Sequence, residues 1–161
     1  LEEEGQSRLR PSEAIDVILP AHSRHHVQMR IEPWSEHHDA LGKQVWPCAQ
    51  LVCGWLLRHS ADITGGHVLE LGSGTGVCGL VAAAQGAQVT LTDANEAALE
   101  VLRENVQDLA CRFSTPNDDS ILPNVRALDF TVCDEVSILA TSGGKFSTII
   151  ASDVLYDPSI V

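Results

Sequence analysis

The sequence is poor in positive charge. Ten lysines and arginines stand against 22 aspartates and glutamates, which gives a formal net charge of −12. Nucleic acids and anionic membrane surfaces attract the opposite sign, so the composition argues against both as partners. Long apolar runs are also missing, and we therefore expect no membrane insertion. An acidic surface suits a basic substrate such as a lysine-bearing protein, although solubility alone is the preferred explanation of the charge.

Paired cysteine motifs are missing too. The five cysteines are odd in number and form no C-x-x-C pair. This usage predicts free, buried thiols in a reducing compartment, either the cytoplasm or the nucleus. The patterns G-x-S-x-G, H-E-x-x-H and Walker A are absent, so hydrolase and nucleotidase functions gain no support.

The histidines predict no metal site. His25 and His26 are adjacent, as are His37 and His38. Neighbouring residues on a strand point to opposite faces, so each pair supplies one ligand at most. No cysteine or carboxylate set completes a tetrahedral site.

The most informative segment covers residues 67–76 and reads His-Val-Leu-Glu-Leu-Gly-Ser-Gly-Thr-Gly. A short apolar run carries one acid, Glu70, and then Gly72, Gly74 and Gly76 alternate with other residues. A strand that ends in such a turn brings bare backbone and a helix N-terminus close to a ligand. The pattern predicts a binding site for a nucleoside cofactor.

A second strand, expected over residues 88–92, ends in Asp93. A carboxylate at this place offers two oxygens to the two hydroxyls of a ribose. The alternative is a structural role, because Asp93 precedes a helix whose first turn carries Glu96 and would suit an N-cap.

Two cofactor chemistries share this plan. Residues 74–79 match the dinucleotide fingerprint G-x-G-x-x-G, which leaves an NAD-dependent oxidoreductase open. Glu70 argues against it, since a carboxylate near the turn repels a pyrophosphate and favours a positively charged sulfonium.

The sequence of residues 70–76, Glu-Leu-Gly-Ser-Gly-Thr-Gly, resembles motif I of the class I, seven-β-strand S-adenosylmethionine-dependent methyltransferases. Three flanking segments narrow the resemblance: Val-Trp-Pro-Cys-Ala at 45–49, a strand ending in an acid and an aromatic at 125–130, and Ser-Asp-Val-Leu-Tyr at 152–156. In this order they resemble the methyltransferase-like family 16 protein lysine methyltransferases, from about Val27 to the end of the chain.

The resemblance implies S-adenosylmethionine as cofactor, S-adenosylhomocysteine as product, and a monomer acting on a protein substrate that carries the target lysine. Asp153 and Tyr156 are then the catalytic residues that present the acceptor nitrogen. The residues expected to bind the cofactor are Trp46, Glu70, Gly72, Ser73, Gly74, Gly76, Asp93, Asp129, Phe130 and Ser152.

Several of these residues also have a structural interpretation. Glu70 could be a buried acid satisfied by backbone N–H groups or a helix terminus, Trp46 could staple a helix start, and Asp153 could be a cap with Tyr156 in the core. A protein histidine or a small molecule as acceptor, and a binding fragment without turnover, remain alternatives to lysine methylation.

The periodicity predicts an α/β fold: a Rossmann-like, doubly wound, mainly parallel sheet with helices on both faces. A strand at 25–31 and a turn at 36–42 predict a small N-terminal β-hairpin. We expect an N-terminal extension over 1–44 and a Rossmann-like domain over 45–161. Core strands are expected at 67–71, 88–92, 124–129 and 147–152, and helices at 47–59, 77–85, 95–109 and 133–140.

The resemblance implies that these strands lie in the order 3-2-1-4, with the cofactor at their carboxyl ends. The family fold has three further strands after the fourth, so we expect the C-terminal strands to be missing from this chain.

Overall fold

The structure is a computed structural model that describes residues 13–18, 26–31, 42–113, 122–132 and 144–156, with only the backbone for 13–18, 26–31 and 111–113. The strands are β1 Glu13–Ile18, β2 His26–Ile31, β3 His67–Leu71, β4 Gln88–Asp93, β5 Asn124–Ala127 and β6 Thr148–Ala151. The helices are α1 Pro47–Arg58, α2 Ser60–Ile63, α3 Val77–Ala84 and α4 Glu96–Phe113. The helix expected at 133–140 lies outside the described residues, as does the turn expected at 36–42 except for Gly42.

A four-stranded sheet organises the fold. Its strand order is β5-β4-β3-β6, and each neighbouring pair is parallel. The α/β prediction and the strand order 3-2-1-4 are therefore confirmed. Because parallel strands end at the same edge, the segments that follow the four strands are brought together there.

The N-terminal hairpin is present, and β2 pairs with the strand that precedes it; the turn expected at 36–42 lies outside the described residues except for Gly42. β2 pairs antiparallel with β1, from Glu13 opposite Ile31 to Ile18 opposite His26. Residues 13–18 thus form a strand that the sequence pattern did not predict. Their sequence, Glu-Ala-Ile-Asp-Val-Ile, does not alternate regularly between apolar and polar residues, and the pairing with β2 supplies the ladder hydrogen bonds that make them a strand. β2 in turn lies against α4 and α3.

Helices α1, α3 and α4 share one apolar core with the sheet. Val68 of β3 lies opposite Val89 of β4, so the two side chains share a face, and alternate residues place Leu91 and Ile150 on it too. All four belong to the same buried cluster as residues of α1, α3 and α4. Glu70 lies on this apolar face as well, which makes it the unusual residue of the core.

The described helices are α1 to α4. None of them combines the length and apolar character that a membrane span requires.

Candidate functional site

The turn after β3 is built on three glycines in the left-handed region. The φ angles are +59° at Gly72, +52° at Gly74 and +82° at Gly76, which side chains rarely adopt. A Cβ on Gly72 would lie 2.9 Å from Val154 Cγ1 and 3.5 Å from Phe130 Cε1. The bare backbone of the glycine turn therefore faces the segments that follow β5 and β6.

Hydrogen bonds from neighbouring elements fix the glycine turn. The Ser73 N–H donates to Thr92 O at 2.8 Å, and the Thr92 N–H donates to Ser73 Oγ at 3.0 Å. Asn105 of α4, which is fully buried, donates from Nδ2 to Thr75 O at 2.9 Å. The hydroxyl of Ser73, predicted to bind cofactor, thus lies within the supporting structure of the turn.

Asn105 was missed by the sequence analysis, yet it left a signal. It lies between Leu102 and Leu109, in a helix whose apolar face is buried. A polar residue at such a position needs an internal partner, and the backbone of the turn supplies it.

Asp93, at the end of β4, connects the glycine turn to the segment before α4 through its two carboxylate oxygens. Oδ2 accepts a hydrogen bond from Gly74 N at 2.9 Å, and Oδ1 accepts one from Asn95 N at 2.9 Å. Asn95, not Asp93, caps α4, because Asn95 Oδ1 accepts from Ala97 N at 2.9 Å. A carboxylate has about four acceptor positions, so about two remain for ligand hydroxyls.

Glu70 lies beneath the turn with 3% of its surface exposed. Its Oε2 accepts a hydrogen bond of 3.0 Å from Gly79 N in the first turn of α3. Burial disfavours the charged carboxylate and raises the pKa of Glu70 to about 7. The hydrogen bond from Gly79 N lowers the pKa, but its effect is smaller than that of burial. The structure therefore shows the structural alternative for Glu70, a buried acid that accepts a hydrogen bond at a helix terminus. Direct contact of Glu70 with a cofactor stays a prediction.

Gly79 explains why the sequence also matches a dinucleotide fingerprint. A Cβ at this position would overlap Leu91 Cδ2 and come within 2.6 Å of Glu70 Oε2. The third glycine of the pattern is therefore required for the packing of α3 on the sheet, whichever ligand the turn binds.

The three cysteines with described side chains are free thiols, as expected, but the expectation that they are buried is wrong for Cys48, which lies in the first turn of α1. Cys53 and Cys78 are buried, while Cys48 is exposed. A hydrogen bond with Cys53, together with burial, raises the pKa of the Cys78 thiol, so it stays protonated at neutral pH.

Asp129 and Phe130 follow β5. Asp129 is exposed, and its Oδ1 accepts hydrogen bonds from Thr131 Oγ1 at 2.6 Å and Thr131 N at 2.9 Å. The bond from the Thr131 hydroxyl, and then the one from its backbone, lower the pKa of Asp129. The ring of Phe130 lies next to Gly72 and is partly exposed, which leaves it an apolar surface for a ligand.

Asp153 and Ser152 follow β6. The backbone of Asp153 is left-handed, with φ +55°. Its Oδ2 accepts hydrogen bonds from Cys48 N at 3.0 Å and from Ser152 Oγ at 3.3 Å. The same carboxylate raises the pKa of the Cys48 thiol through a side-chain hydrogen bond. Tyr156, the other residue expected to act on the acceptor, is 71% exposed.

Residues 42–48, called the strap below, lead into α1 and cross this edge of the sheet. A Cβ on Gly74 would lie 3.0 Å from Gly42 O, so the strap begins in close contact with the glycine turn. Trp46 occupies the N-cap position of α1, and Cys48 is bonded to Asp153. The structure thus brings together the glycine turn, Asp93, Phe130, Asp153 and the strap; it leaves the Glu70 carboxylate underneath and Tyr156 at the surface.

Within residues 42–113, 122–132 and 144–156, no three His, Cys, Asp or Glu side chains are grouped so that they could hold a metal ion. The side chains of His25, His26, His37 and His38 lie outside the described residues.

Comparison with known families gives a match over most of the chain. The lysine methyltransferase family matches residues 25–161. Protein N-lysine methyltransferase METTL21A of Xenopus tropicalis is 37% identical over 115 residues, 70% of this chain and 46% of that protein. The Mus musculus METTL21A is 32% identical over 134 residues, 83% of this chain and 56% of that protein. Histone-arginine methyltransferase METTL23 of Homo sapiens is 31% identical over 116 residues, 71% of this chain and 55% of that protein.

Solved structures agree on the fold. The Thermus thermophilus 16S rRNA N2 G1207 methyltransferase RsmC, in complex with AdoMet and guanosine, has a TM-score of 0.60 at 19% identity, covering 93% of this chain and 35% of that one. The magnesium protoporphyrin IX methyltransferase of Synechocystis PCC 6803 with bound SAM has a TM-score of 0.51 at 20% identity, covering 76% of this chain and 52% of that one. The chain spans about half the length of the curated relatives it matches, 46% of the first. The family match and the Rossmann-like methyltransferase fold agree with the resemblance in residues 70–76: the chain belongs to the lysine methyltransferase family.

Proposed function

We propose that this chain binds S-adenosylmethionine at the glycine turn and contributes to methyl transfer onto a lysine side chain of a protein. One observation carries the cofactor assignment: the Asp93 carboxylate lies at Gly74 N, 2.9 Å away, beside a turn with three left-handed glycines. The family match and the METTL21A relatives support lysine as the acceptor.

The residues at the turn fit a sulfonium nucleoside better than a dinucleotide. A pyrophosphate is held by N–H groups of the glycine turn and of the following helix N-terminus. In this chain Asp93 takes the Gly74 N–H and Glu70 takes the Gly79 N–H. Two carboxylates therefore compete with the phosphates for donors and, when ionised, repel them, whereas a cationic sulfonium is attracted.

The strap offers a further sign that a ligand belongs in this region. The Nε2 atom of Gln44 is buried, and no described residue accepts a hydrogen bond from it. A buried donor without a partner costs free energy unless water or a ligand accepts from it. Together with the partly exposed ring of Phe130 beside Gly72, this supports binding of an adenosyl group with a polar amino-acid end.

The bound cofactor would supply an electrophilic methyl group on a positively charged sulfur. The protein must then orient a neutral amine in line with the bond to be broken, although the pKa of a lysine side chain in water is about 10.4. The Asp153 carboxylate accepts from Cys48 N and Ser152 Oγ through Oδ2, and a carboxylate has about four acceptor positions, so it keeps room to hold the amine. The exposed ring of Tyr156 would form an apolar wall that disfavours the ammonium form.

Labelled S-adenosylmethionine and mass spectrometry test this proposal. Incubated with a lysate that lacks small molecules, the chain should transfer label to a protein, and the modified peptide should carry it on a lysine. Asp93→Asn should lower the rate at limiting cofactor. Label on arginine or histidine would contradict lysine as the acceptor residue. Label that appears only after small molecules are restored would contradict a protein as the substrate.

The proposals on cellular compartment and oligomeric state rest on the cysteines and on the net charge. The free thiols of Cys48, Cys53 and Cys78 support a reducing compartment, and we propose the cytoplasm or the nucleus. The net charge of −12 supports a monomer that binds neither nucleic acid nor anionic membranes. Cell fractionation and sedimentation test these two points separately.

A further inference from the structure

Helix α1 begins without a cap of its own. Trp46 stands at the N-cap position, its side chain makes no capping hydrogen bond, and the first turn contains no acidic residue. The N–H of Cys48, one of the donors that a helix start leaves unsatisfied, donates instead to Asp153 Oδ2 at 3.0 Å, across 105 residues of sequence. The carboxylate also lies at the positive end of the helix dipole. Asp153 therefore caps the N-terminus of α1, a role that an aspartate at the N-cap position usually fills.

The backbone of Asp153 is suited to this contact. Its φ angle is +55°, and among the described residues no other non-glycine residue adopts a left-handed conformation. Such a conformation is strained for most residues and less strained for Asp and Asn. It persists where surrounding contacts fix it, and the hydrogen bonds from Cys48 N and Ser152 Oγ are two such contacts.

The strap is fixed at its other end by close backbone packing. Gly42 O lies against Gly74, and a Cβ on Gly42 would come within 2.7 Å of Ala98 Cβ at the start of α4. The strap thus runs from the α4 side of the glycine turn to the carboxyl end of β6. Removing either contact frees one end of a segment that lies across the cofactor region.

We propose that Asp153 is a positioning residue that holds the strap, and with it Trp46, across the cofactor site through Oδ2, while the remaining acceptor positions of its carboxylate hold the acceptor amine. The first part rests on the hydrogen bond and the strap geometry, and the second rests on the proposed function. One carboxylate then links the two halves of the site. Cofactor affinity depends on Asp153 although this residue belongs to the acceptor side.

Hydrogen exchange at the Cys48 amide, followed by NMR on the folded chain, tests the anchoring. Asp153→Gly and Asp153→Asn both tolerate a left-handed backbone, but only asparagine keeps an acceptor. We expect the Cys48 amide to exchange about tenfold faster in Asp153→Gly, the usual effect of losing one charge-assisted hydrogen bond, and to be largely restored in Asp153→Asn. Unchanged exchange in a folded Asp153→Gly protein would overturn the proposal.

The affinity for S-adenosylhomocysteine, measured by calorimetry, tests the consequence for the cofactor. The dissociation constant should rise about fivefold to tenfold in Asp153→Gly and stay near that of the original chain in Asp153→Asn. Asp62→Asn, which removes an exposed charge in α2 before β3, serves as the control and should change neither readout. A residue that only stabilises the fold would lower the melting temperature of Asp153→Gly and leave the dissociation constant of the folded protein unchanged, which would contradict the positioning role.

Gly42→Ala perturbs the other end of the strap without touching Asp153. Its Cβ would press on Ala98, so the strap must shift and the same dissociation constant should rise. An unchanged constant in this variant counts against the strap as a wall of the site. If the original chain binds no S-adenosylhomocysteine, the proposed function fails, whereas the exchange of the Cys48 amide still decides whether Asp153 anchors the strap.

Discussion

Asp93 Oδ2 accepts a hydrogen bond of 2.9 Å from the N–H of Gly74, 19 residues earlier in the chain. The contact links the ends of two neighbouring parallel strands, β4 and β3, at the place where a ligand would lie. It fixes the turn and directs a carboxylate towards the cofactor region. An anion that needs the same N–H group is disfavoured, and a ligand with hydroxyl donors is favoured.

Replacing Asp93 should separate binding from folding. Asp93→Asn keeps one oxygen for the protein and loses the charge, so we expect the dissociation constant for S-adenosylhomocysteine to rise at least about tenfold. Glu96→Gln, which removes an exposed acid close by in sequence, is the matched control and should bind as the original chain does. Calorimetry on both variants gives the comparison, and equal affinities would show that Asp93 does not hold the ribose.

Asn105 should matter for stability because it satisfies a buried carbonyl of the turn. Asn105→Ala leaves Thr75 O without this donor and opens space beside it, which should lower the free energy of unfolding by about 1–3 kcal/mol. Glu100→Ala, at an exposed position of the same helix, should change it by no more than about 0.5 kcal/mol. Urea titration of both variants measures the difference; an equal effect would mean that the Asn105 hydrogen bond contributes nothing.

Two helical glycines should respond to alanine in opposite directions. At Gly54 in α1, a Cβ meets Arg58 Nη1 at 3.5 Å, an ordinary contact, so Gly54→Ala should stabilise by about 0.5–1 kcal/mol. At Gly79 in α3 the Cβ would overlap Leu91, and Gly79→Ala should destabilise by about 1–3 kcal/mol. Thermal unfolding gives the sign in each case. Stabilisation by Gly79→Ala would contradict the close packing of α3 on the sheet.

Glu70 should make stability fall as the pH rises. Its folded-state pKa is raised to about 7 from 4.5, so folding favours the protonated acid and the free energy of unfolding decreases between these two values. Glu70→Gln keeps an acceptor for Gly79 N and cannot titrate. Its stability relative to the original chain should therefore increase by about 2–3 kcal/mol from pH 5 to pH 8.

The matched control for this pH dependence is Glu100→Gln, at an exposed position. Urea titrations at the two pH values should show no such change for it. A difference between Glu70→Gln and the original chain that is independent of pH would show that Glu70 is ionised in the folded protein over the whole range.

The sheet could be predicted because its determinants are local. Apolar runs bounded by glycines gave β3, β4 and β6 to within about two residues, and the alternation with helices implied parallel strands. Strand β1 could not be predicted, because residues 13–18 become a strand through pairing with β2. For α4, the sequence placed the end near residue 109, whereas the helix continues to Phe113.

The candidate site was only partly predictable for a related reason. The spacing of four residues in the sequence predicted their place in the site, because a turn and the end of a strand are local features: Gly72, Gly74, Gly76 and Asp93. The direction of the Glu70 side chain depends on the position of α3, and the partner of Asp153 lies in a helix 105 residues away. Such contacts are properties of the folded chain and leave no mark on either segment alone.

The most direct test is the stabilisation of this chain by S-adenosylhomocysteine, with NADH as the comparison. At about a hundred times its dissociation constant, a ligand that binds only the folded state raises the free energy of unfolding by about 2.7 kcal/mol. We predict this rise with S-adenosylhomocysteine and none with NADH at the same concentration. A rise with NADH, and none with S-adenosylhomocysteine, would contradict the assignment of the glycine turn and Asp93 to a sulfonium nucleoside.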